Sequence, residues 1–402
     1  MTTPFDTIIV GAGPGGSSAA IALASNGWHV ALLERQSFPR DKLCGEFISP
    51  EGIGDLAQLG VLPALLDAEP APVRGVRVTL SAEHQIRIEL RASGWGLSRF
   101  AFDSILLEHA RTRGVECFDN CHVRRIEGSL KTGFRLETGP SGRAPKIPIA
   151  KTVIAATGRW SNLPWSHRNV ATDPLGDQRF LGIKAHFRGD ADLEEAVELH
   201  FFDEGYCGIN RIEDDQINLC ALISEPYAGR YANHWEALID AAGRQNPHLA
   251  NRVRAMRRSS AFLVTSPVAF RTREKVLRDI FIVGDAAGFL DPFSGDGIST
   301  AVRSALLAAG SLHQYMTGSQ SAEGARQGYI RTYQAEFRRR FFFARLIRGA
   351  FSLPGIPSAF ALVQARIPSL GQWVVRQTRG VVRRQAPRIG FQVPGEIESQ
   401  PP

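Results

Sequence analysis

Apolar residues follow two rhythms along this chain. Residues 6–10, 28–33, 151–155 and 280–283 are short, mostly unbroken apolar runs, the pattern of strands covered on both faces in a parallel sheet. Between the first two lie Gly-Ala-Gly-Pro-Gly-Gly and an Ala/Ser-rich stretch closed by Asn26-Gly27. That order predicts strand, tight turn, helix and parallel strand. A helix is expected over 102–113 with Asp103 as its N-terminal cap, then a strand at 115–118. From Phe180 to Ser266 the rhythm changes. Residues 182–187, 196–202, 205–212 and 216–223 form closely spaced strand-like runs separated by turn signals, Glu213-Asp214-Asp215 being the clearest. They predict an antiparallel sheet, with a helix near 234–242. A long Ala-rich helix begins at about Gly297.

The pattern defines an α/β fold. A Rossmann-like parallel-sheet domain is assembled from 1–75, 98–165 and 266–330. An antiparallel β-sheet substrate lobe, 76–97 and 166–265, is inserted into it. A helical C-terminal segment follows at 331–390, and 391–402 reads as a disordered tail. At 402 residues the chain is long enough for two lobes, since single cores rarely grow past ~250–300 residues.

Charge and cysteine content narrow the setting. The net charge is +7, yet twelve arginines and a single acid, Glu336, fall between Arg331 and Gly390. The basic excess therefore belongs to the C-terminal segment, and the rest of the chain is net acidic. Such a segment fits peripheral contact with an acidic lipid surface or a solvated face, and no nucleic-acid partner is expected. Five scattered cysteines without a C-x-x-C pair suggest no metal site and a reducing, cytoplasmic setting. The uncharged run 349–365 is short and broken by Pro354 and Pro357, so no membrane span is expected. Oligomeric state leaves no mark on the sequence.

Two glycine-rich turns carry the chemistry. Gly11, Gly13, Gly15 and Gly16 follow a strand and open a helix, where free N–H groups and a partial positive charge bind a pyrophosphate. Glu34 ends the next strand, where a carboxylate binds a ribose 2′-hydroxyl and repels a 2′-phosphate. The second turn, Gly284-Asp285-Ala286-Ala287-Gly288, continues through Pro292 to Gly295-Asp296-Gly297-Ile298. There Asp285 can accept hydrogen bonds from sugar-alcohol hydroxyls and a second helix N-terminus can meet another anion. A nicotinamide dinucleotide needs only the first turn, whereas FAD uses both. Without a second G-x-G-x-x-G, NADH or NADPH is expected only as a transient visitor.

The order Gly-x-Gly-x-x-Gly, Arg99 before Phe102-Asp103, Ala156-Thr157-Gly158, Gly284-Asp285 and Gly295-x-Gly297 resembles the para-hydroxybenzoate-hydroxylase-like FAD superfamily. Arg40-Asp41-Lys42-Leu43-Cys44-Gly45-Glu46 with Ser49-Pro50 is similar to its geranylgeranyl reductase branch. The resemblance implies that Glu34 and Arg35 lie at the adenosine ribose and Val123 at the adenine. It places Arg99 at the phosphate or ribityl region, Asp285 at the ribityl hydroxyls, and Gly158, Pro292, Gly295, Gly297 and Ile298 around the flavin. Cys44, Gly45 and Phe47 lie along the cofactor, with Cys44 and Glu46 as candidate catalytic groups. Glu46 has a structural alternative, a carboxylate anchored by Arg40 or Lys42. Related halogenases carry a Trp-x-Trp-x-Ile-Pro motif and an active-site lysine in a set context, and neither pattern is visible. The reductases carry an aromatic motif after Gly-Tyr, where this chain has Gly205-Tyr206-Cys207-Gly208.

The leading expectation is a single-component, NAD(P)H-dependent FAD monooxygenase that hydroxylates an aromatic, polyketide-like or lipophilic small molecule. The alternatives are a prenyl-type C=C reductase and a non-catalytic flavoprotein acting as a binding module.

Overall fold

The computed structural model describes residues 4–80, 85–139, 149–159, 171–172, 179–190, 192–268, 270–272, 274–289, 292–351, 363, 366–367 and 369–379. Two sheets organise the fold. In the first, Phe5–Val10 runs parallel to Val30–Leu33 on one side and to Ile149–Ala155 on the other. Ile280–Ile282 and Glu116–Phe118 extend the parallel order outward. Ile8, Ile9, Val30, Leu32, Val153 and Ile154 are buried, as unbroken apolar runs demand of a sheet covered on both faces. Thr7 and Thr152 oppose one another across the ladder with hydroxyls 2.8 Å apart, so each satisfies the other.

Helices Pro14–Ala24 and Gly297–Met316 pack together against this sheet. Small side chains let them approach closely: Ala19, Ala20, Ala305 and Ala308 are buried, and a Cβ on Gly15 would stand 3.3 Å from the carbonyl oxygen of Ala301. The two helix N-termini therefore lie side by side at the carboxyl ends of the strands, where open α/β sheets bind ligands.

Helix Arg99–Thr112 starts three residues before the expected position. Ser98 caps it, its hydroxyl accepting from Ala101 N at 3.0 Å. Asp103, the expected cap, lies one turn inside and is fully buried, because Arg99 takes up its carboxylate.

The second sheet has nine strands. Ala196–Phe202, Gly205–Arg211, Ile217–Ser224 and Phe180–Gly189 form an antiparallel run. Ala71–Thr79 joins it in parallel to Ala196–Phe202, then pairs antiparallel with Gln85–Gly96. The period-2 alternation splits the sheet into two environments. Ile183, Ala185, Ile209 and Leu219 pack with Leu238, Ile239 and Leu249 of helices Trp235–Gln245 and Pro247–Arg254. Leu199, Tyr206 and Leu222 face the opposite side, with Val76, Val78 and Val197 against them.

Helix Ala322–Phe351 returns across the first domain. Tyr329, Tyr333, Phe337 and Phe341 recur every fourth residue and are buried, a continuous helical stripe. The Tyr329 hydroxyl donates to Ile282 O at 2.6 Å. Arg340, also buried, pairs with Asp296 at 3.3 Å and with Glu336. The last expected segment, 391–402, lies outside the described residues. Phe337→Ala should therefore destabilise the protein by about 3–5 kcal/mol, read as a lowered denaturation midpoint; an unchanged midpoint would mean that the helix does not hold this stripe against the core.

Candidate active site

The first glycine turn leaves no space for side chains. Gly11 has φ +103°, and a Cβ there would lie 2.4 Å from Ala156 O; one on Gly16 would lie 1.7 Å from Gly11 O. Gly13 precedes the helix in extended conformation, and Pro14 takes the first helical position, where no N–H is needed. Glu34 sits beneath the turn, its carboxylate accepting from Ala12 N at 2.9 Å and Gln36 N at 3.1 Å.

Two guanidinium groups flank the turn. Arg99 is bidentate to Asp103 at 2.8 and 2.7 Å, and Arg40 reaches Asp103 at 3.0 Å and Glu34 at 3.6 Å. All four groups are buried. The nearest atoms to a Cβ built on Gly13 would be Nη2 of Arg99 and of Arg40, at 3.8 and 4.0 Å. The carboxylates hold the two cations at the turn, where an anion would find them already oriented. Burial alone would lower the Arg99 pKa, but Asp103 more than offsets it and raises it above the ordinary arginine value. Arg99–Asp103 is thus a buried pair with a place in the site.

Asp285 follows Ile280–Ile282 on the facing side. Burial raises its pKa, opposed by Arg159, Lys42 and Arg99. No hydrogen bond to its carboxylate occurs among the described residues, which leaves its oxygens available to hydroxyl donors. Gly297 and Ile298 begin the long helix, so their N–H groups have no intrahelical acceptor.

The segment from Asp41 to Phe47 crosses between the sheets. Glu46 adopts φ +53° and its side chain has no exposed surface. The carboxylate accepts from Arg99 N at 2.6 Å and contacts Lys184 Nζ at 2.5 Å and His186 Nε2 at 2.7 Å. Its anchors are thus on strand Phe180–Gly189, and Arg40 and Lys42 point elsewhere. Glu46 N donates to Cys44 Sγ at 3.4 Å, and Cys44 O accepts from Asn218 at 3.3 Å. Phe47 is held closely by a second glycine: a Cβ on Gly295, at φ +65°, would stand 2.9 Å from its ring.

These parts enclose one concave cavity, the shape of site that takes small molecules and cofactors. Gly13, Gly15, Cys44, Gly45, Glu46, Phe47, Arg99, Gly158, Asp285, Pro292, Gly295, Gly297 and Ile298 all line it. Gly11, Gly16 and Glu34 support it from behind. Arg35 is exposed beyond Glu34, and Val123 is buried at the head of strand Val123–Ser129, so neither meets the cavity.

Several lining residues escaped the sequence reading. Lys42 and Arg159 are two of them, and Val197, Leu199, Tyr206 and Leu222 form the wall on the second sheet. Lys184 and His186, two apart on a strand, necessarily share a face; that spacing was the available signal. Asp41, Glu46 and His186 lie close enough to suggest a metal site, but Lys184 Nζ already stands 2.6 Å from Asp41 and 2.5 Å from Glu46.

A cavity with a glycine turn, two helix N-termini, paired guanidiniums and a half-buried aspartate that accepts no hydrogen bond among the described residues suits FAD. The chain belongs to the FAD binding domain family, whose model matches residues 4–345. It is an FAD-dependent oxidoreductase by family, with FAD as its cofactor. Conditioned medium factor receptor 1 of Dictyostelium discoideum is 26% identical over 364 residues, 84% of this chain and 69% of that protein. Digeranylgeranylglycerophospholipid reductase 2 of Methanopyrus kandleri is 26% identical over 376 residues, 90% of each chain. Among solved structures, the myxobacterial chondrochloren halogenase shares the fold at TM-score 0.75 and 22% identity, covering 86% of this chain and 82% of its own.

Asp285→Ala should lower FAD affinity roughly 10- to 150-fold, from loss of about 1.5–3 kcal/mol of hydrogen bonding. Fluorescence titration of the folded apoprotein reads this, and an unchanged constant would remove Asp285 from the site. A second outcome concerns pH. Burial, then Arg99 and Arg40, brings Lys42 down to about 8. An anion bound nearby raises that value, so binding takes up a proton above pH 8. FAD affinity should be level below pH 8 and fall by up to about tenfold per unit above it. Lys42→Gln should flatten the profile; a profile that keeps its slope would assign it to another group.

Proposed function

We propose that the protein reduces carbon–carbon double bonds in a lipophilic, prenyl-type substrate. The observation that carries this reading is the apolar wall of the cavity. Val197, Leu199 and Leu222 with Phe289 and Phe293 extend it beyond Cys44 and Phe47 into the second sheet. An unbranched polar ligand would gain little there, whereas an isoprenoid chain gains about 25 cal/mol for each Å² buried. Two relatives named for prenyl-lipid reduction match nearly end to end, at 90% of each chain for one and 85% and 89% for another from the same organism. That support moves the preference from hydroxylation, the leading expectation from sequence, to reduction. Halogenation has weaker support: the chain carries neither the Trp-x-Trp-x-Ile-Pro motif nor the lysine context of the related halogenases.

Bound FAD, once reduced, supplies a hydride. The chain's residues would do the rest. The apolar wall excludes water and aligns the alkene, which gains the hydride on one carbon and a proton on its neighbour. Cys44, fixed by Glu46 N and Asn218, presents its thiol to the cavity as the proton donor. Anaerobic mixing of reduced holoenzyme with a geranylgeranyl lipid should saturate one double bond per flavin reoxidised. Cys44→Ala should slow this about 10²–10⁴-fold with FAD retained. A hydroxylated product formed only in air, with no saturated product, would overturn the reading.

A lipophilic substrate calls for access to a membrane, and the C-terminal segment is the proposed contact. Among the described residues no helix is long and apolar enough to cross a bilayer. Phe342 and Leu346 are more than half exposed, and Ile367 and Trp373 are exposed nearby. Phe341 is turned into the core and Phe343 packs on Trp373, so the surface is narrower than the Phe341-Phe342-Phe343 run suggests. Polybasic attraction contributes about 1 kcal/mol per residue near the surface and is screened over ~8 Å at physiological salt. The protein should float with anionic vesicles at low salt and be released at high salt. Its absence from the vesicle fraction at low salt would leave these arginines as a solvated face.

A further inference from the structure

Beside the cofactor cavity lies a second opening, a surface cleft of about 540 Å³ whose lining includes Asp41, Asp67, Glu69, His186, Glu213 and Asp214. Four ionisable groups stand in unbroken contact between the two spaces. Asp41 Oδ1 meets Lys184 Nζ at 2.6 Å, Lys184 Nζ meets Glu46 Oε1 at 2.5 Å, and Glu46 Oε2 meets His186 Nε2 at 2.7 Å. The outer pair, Asp41 and His186, line the cleft, while Glu46 lines the cofactor cavity. The inner pair, Glu46 and Lys184, are 0% and 1% exposed.

A structural role alone does not call for this chemistry. A buried ion pair is commonly replaceable by apolar residues without loss of stability, and most of the surrounding wall is apolar. Each of the two anions and the lysine has a distinct task. Lys184 Nζ and Arg99 N both engage Glu46 Oε1, and Asp41 balances Lys184 from the cleft side. That leaves Oε2, directed at His186, as the oxygen able to exchange a proton. Cys44 and Cys220 also border the site; burial pushes the Cys220 thiol up to about 12, which keeps it protonated and out of the exchange. Four further carboxylates line the cleft, making its mouth attractive to protons and other cations.

We infer that His186 and Glu46 form the proton inlet of the cofactor cavity, held in register by Lys184 and Asp41. FAD gaining two electrons near neutral pH takes up one proton, whatever substrate is later reduced, so the inference stands apart from the prenyl-reductase reading. A solvent proton enters on His186. The Nε2–H bond breaks as an O–H bond forms on Glu46 Oε2, the imidazole is reprotonated from the cleft, and Glu46 releases its proton to the cavity. Charge balances and no electrons move along the path. Lys184 and Asp41 are positioning residues, since they act through Glu46.

The test uses FAD-loaded enzyme in dilute buffer, photoreduced by a deazaflavin flash, with flavin bleaching and a pH-indicator dye followed together. In the wild type, proton uptake should coincide with bleaching. In His186→Gln and Glu46→Gln it should lag at least about tenfold, with FAD content and melting temperature as controls. His186→Asn provides a second probe at the cleft side should Glu46→Gln fail to fold. A purely structural pair would change FAD content or stability and leave uptake coincident with bleaching. Coincident uptake in both His186 variants would overturn the inlet, and coincident uptake in a folded Glu46→Gln would remove Glu46 from it.

Discussion

The site depends on one steric constraint: three stretches of backbone meet with no room for a side chain between them. The carbonyl of Ala156, the turn at Gly11 and the first helical turn at Gly16 pack so closely that any Cβ would overlap a main-chain atom. Because of this contact the carboxyl ends of Phe5–Val10 and Ile149–Ala155 finish at the same level, and the first helix starts directly above them. The second helix is brought to the same place by the small residues it shares with the first. Anion-binding N–H groups, a partial positive charge and a concave surface all follow from that close approach.

Electrostatics then divides the cavity into regions. At the glycine turn, Glu34 and Asp103 orient Arg40 and Arg99 with little exposure of any of the four. Near Asp285, burial and facing cations work against each other, and the carboxylate is left with acceptors to offer. Beyond Cys44 apolar side chains of the second sheet take over, with Arg159 stacked over the Phe289 ring at 4.9 Å. A bound molecule thus meets cations first, then a hydrogen-bonding middle, then hydrocarbon. The polarity gradient fits a dinucleotide joined to an apolar reactant better than it fits either alone.

Much of this was legible in the residues. The unbroken apolar runs gave the parallel strands, and the four runs between 182 and 223 gave the antiparallel sheet, because burial on two faces or one writes directly into the pattern. The glycine turns and Asp285 were visible because their chemistry is local. What escaped was set by distance in sequence. Asp103 looked like a cap because Arg40, its partner 63 residues away, and the burial of its pair with Arg99 become apparent only in three dimensions. For Glu46 the nearby Arg40 and Lys42 looked like the anchors, because Lys184 and His186 lie about 140 residues away. The apolar wall was hidden for a similar reason, since alternation identifies a face but not what lies opposite it.

The interleaving of the two sheets has a consequence for how the molecule can be made and divided. Phe5–Val10 waits for Ile149–Ala155, which in turn waits for Ile280–Ile282, while Ala71–Thr79 waits for Ala196–Phe202. Neither sheet closes until most of the chain has left the ribosome, and strand edges stay unpaired in the interval. No single cut in the polypeptide releases one lobe intact. The lobes are distinct in space but not in the order of the chain, so shortening the protein to either one would leave both sheets incomplete.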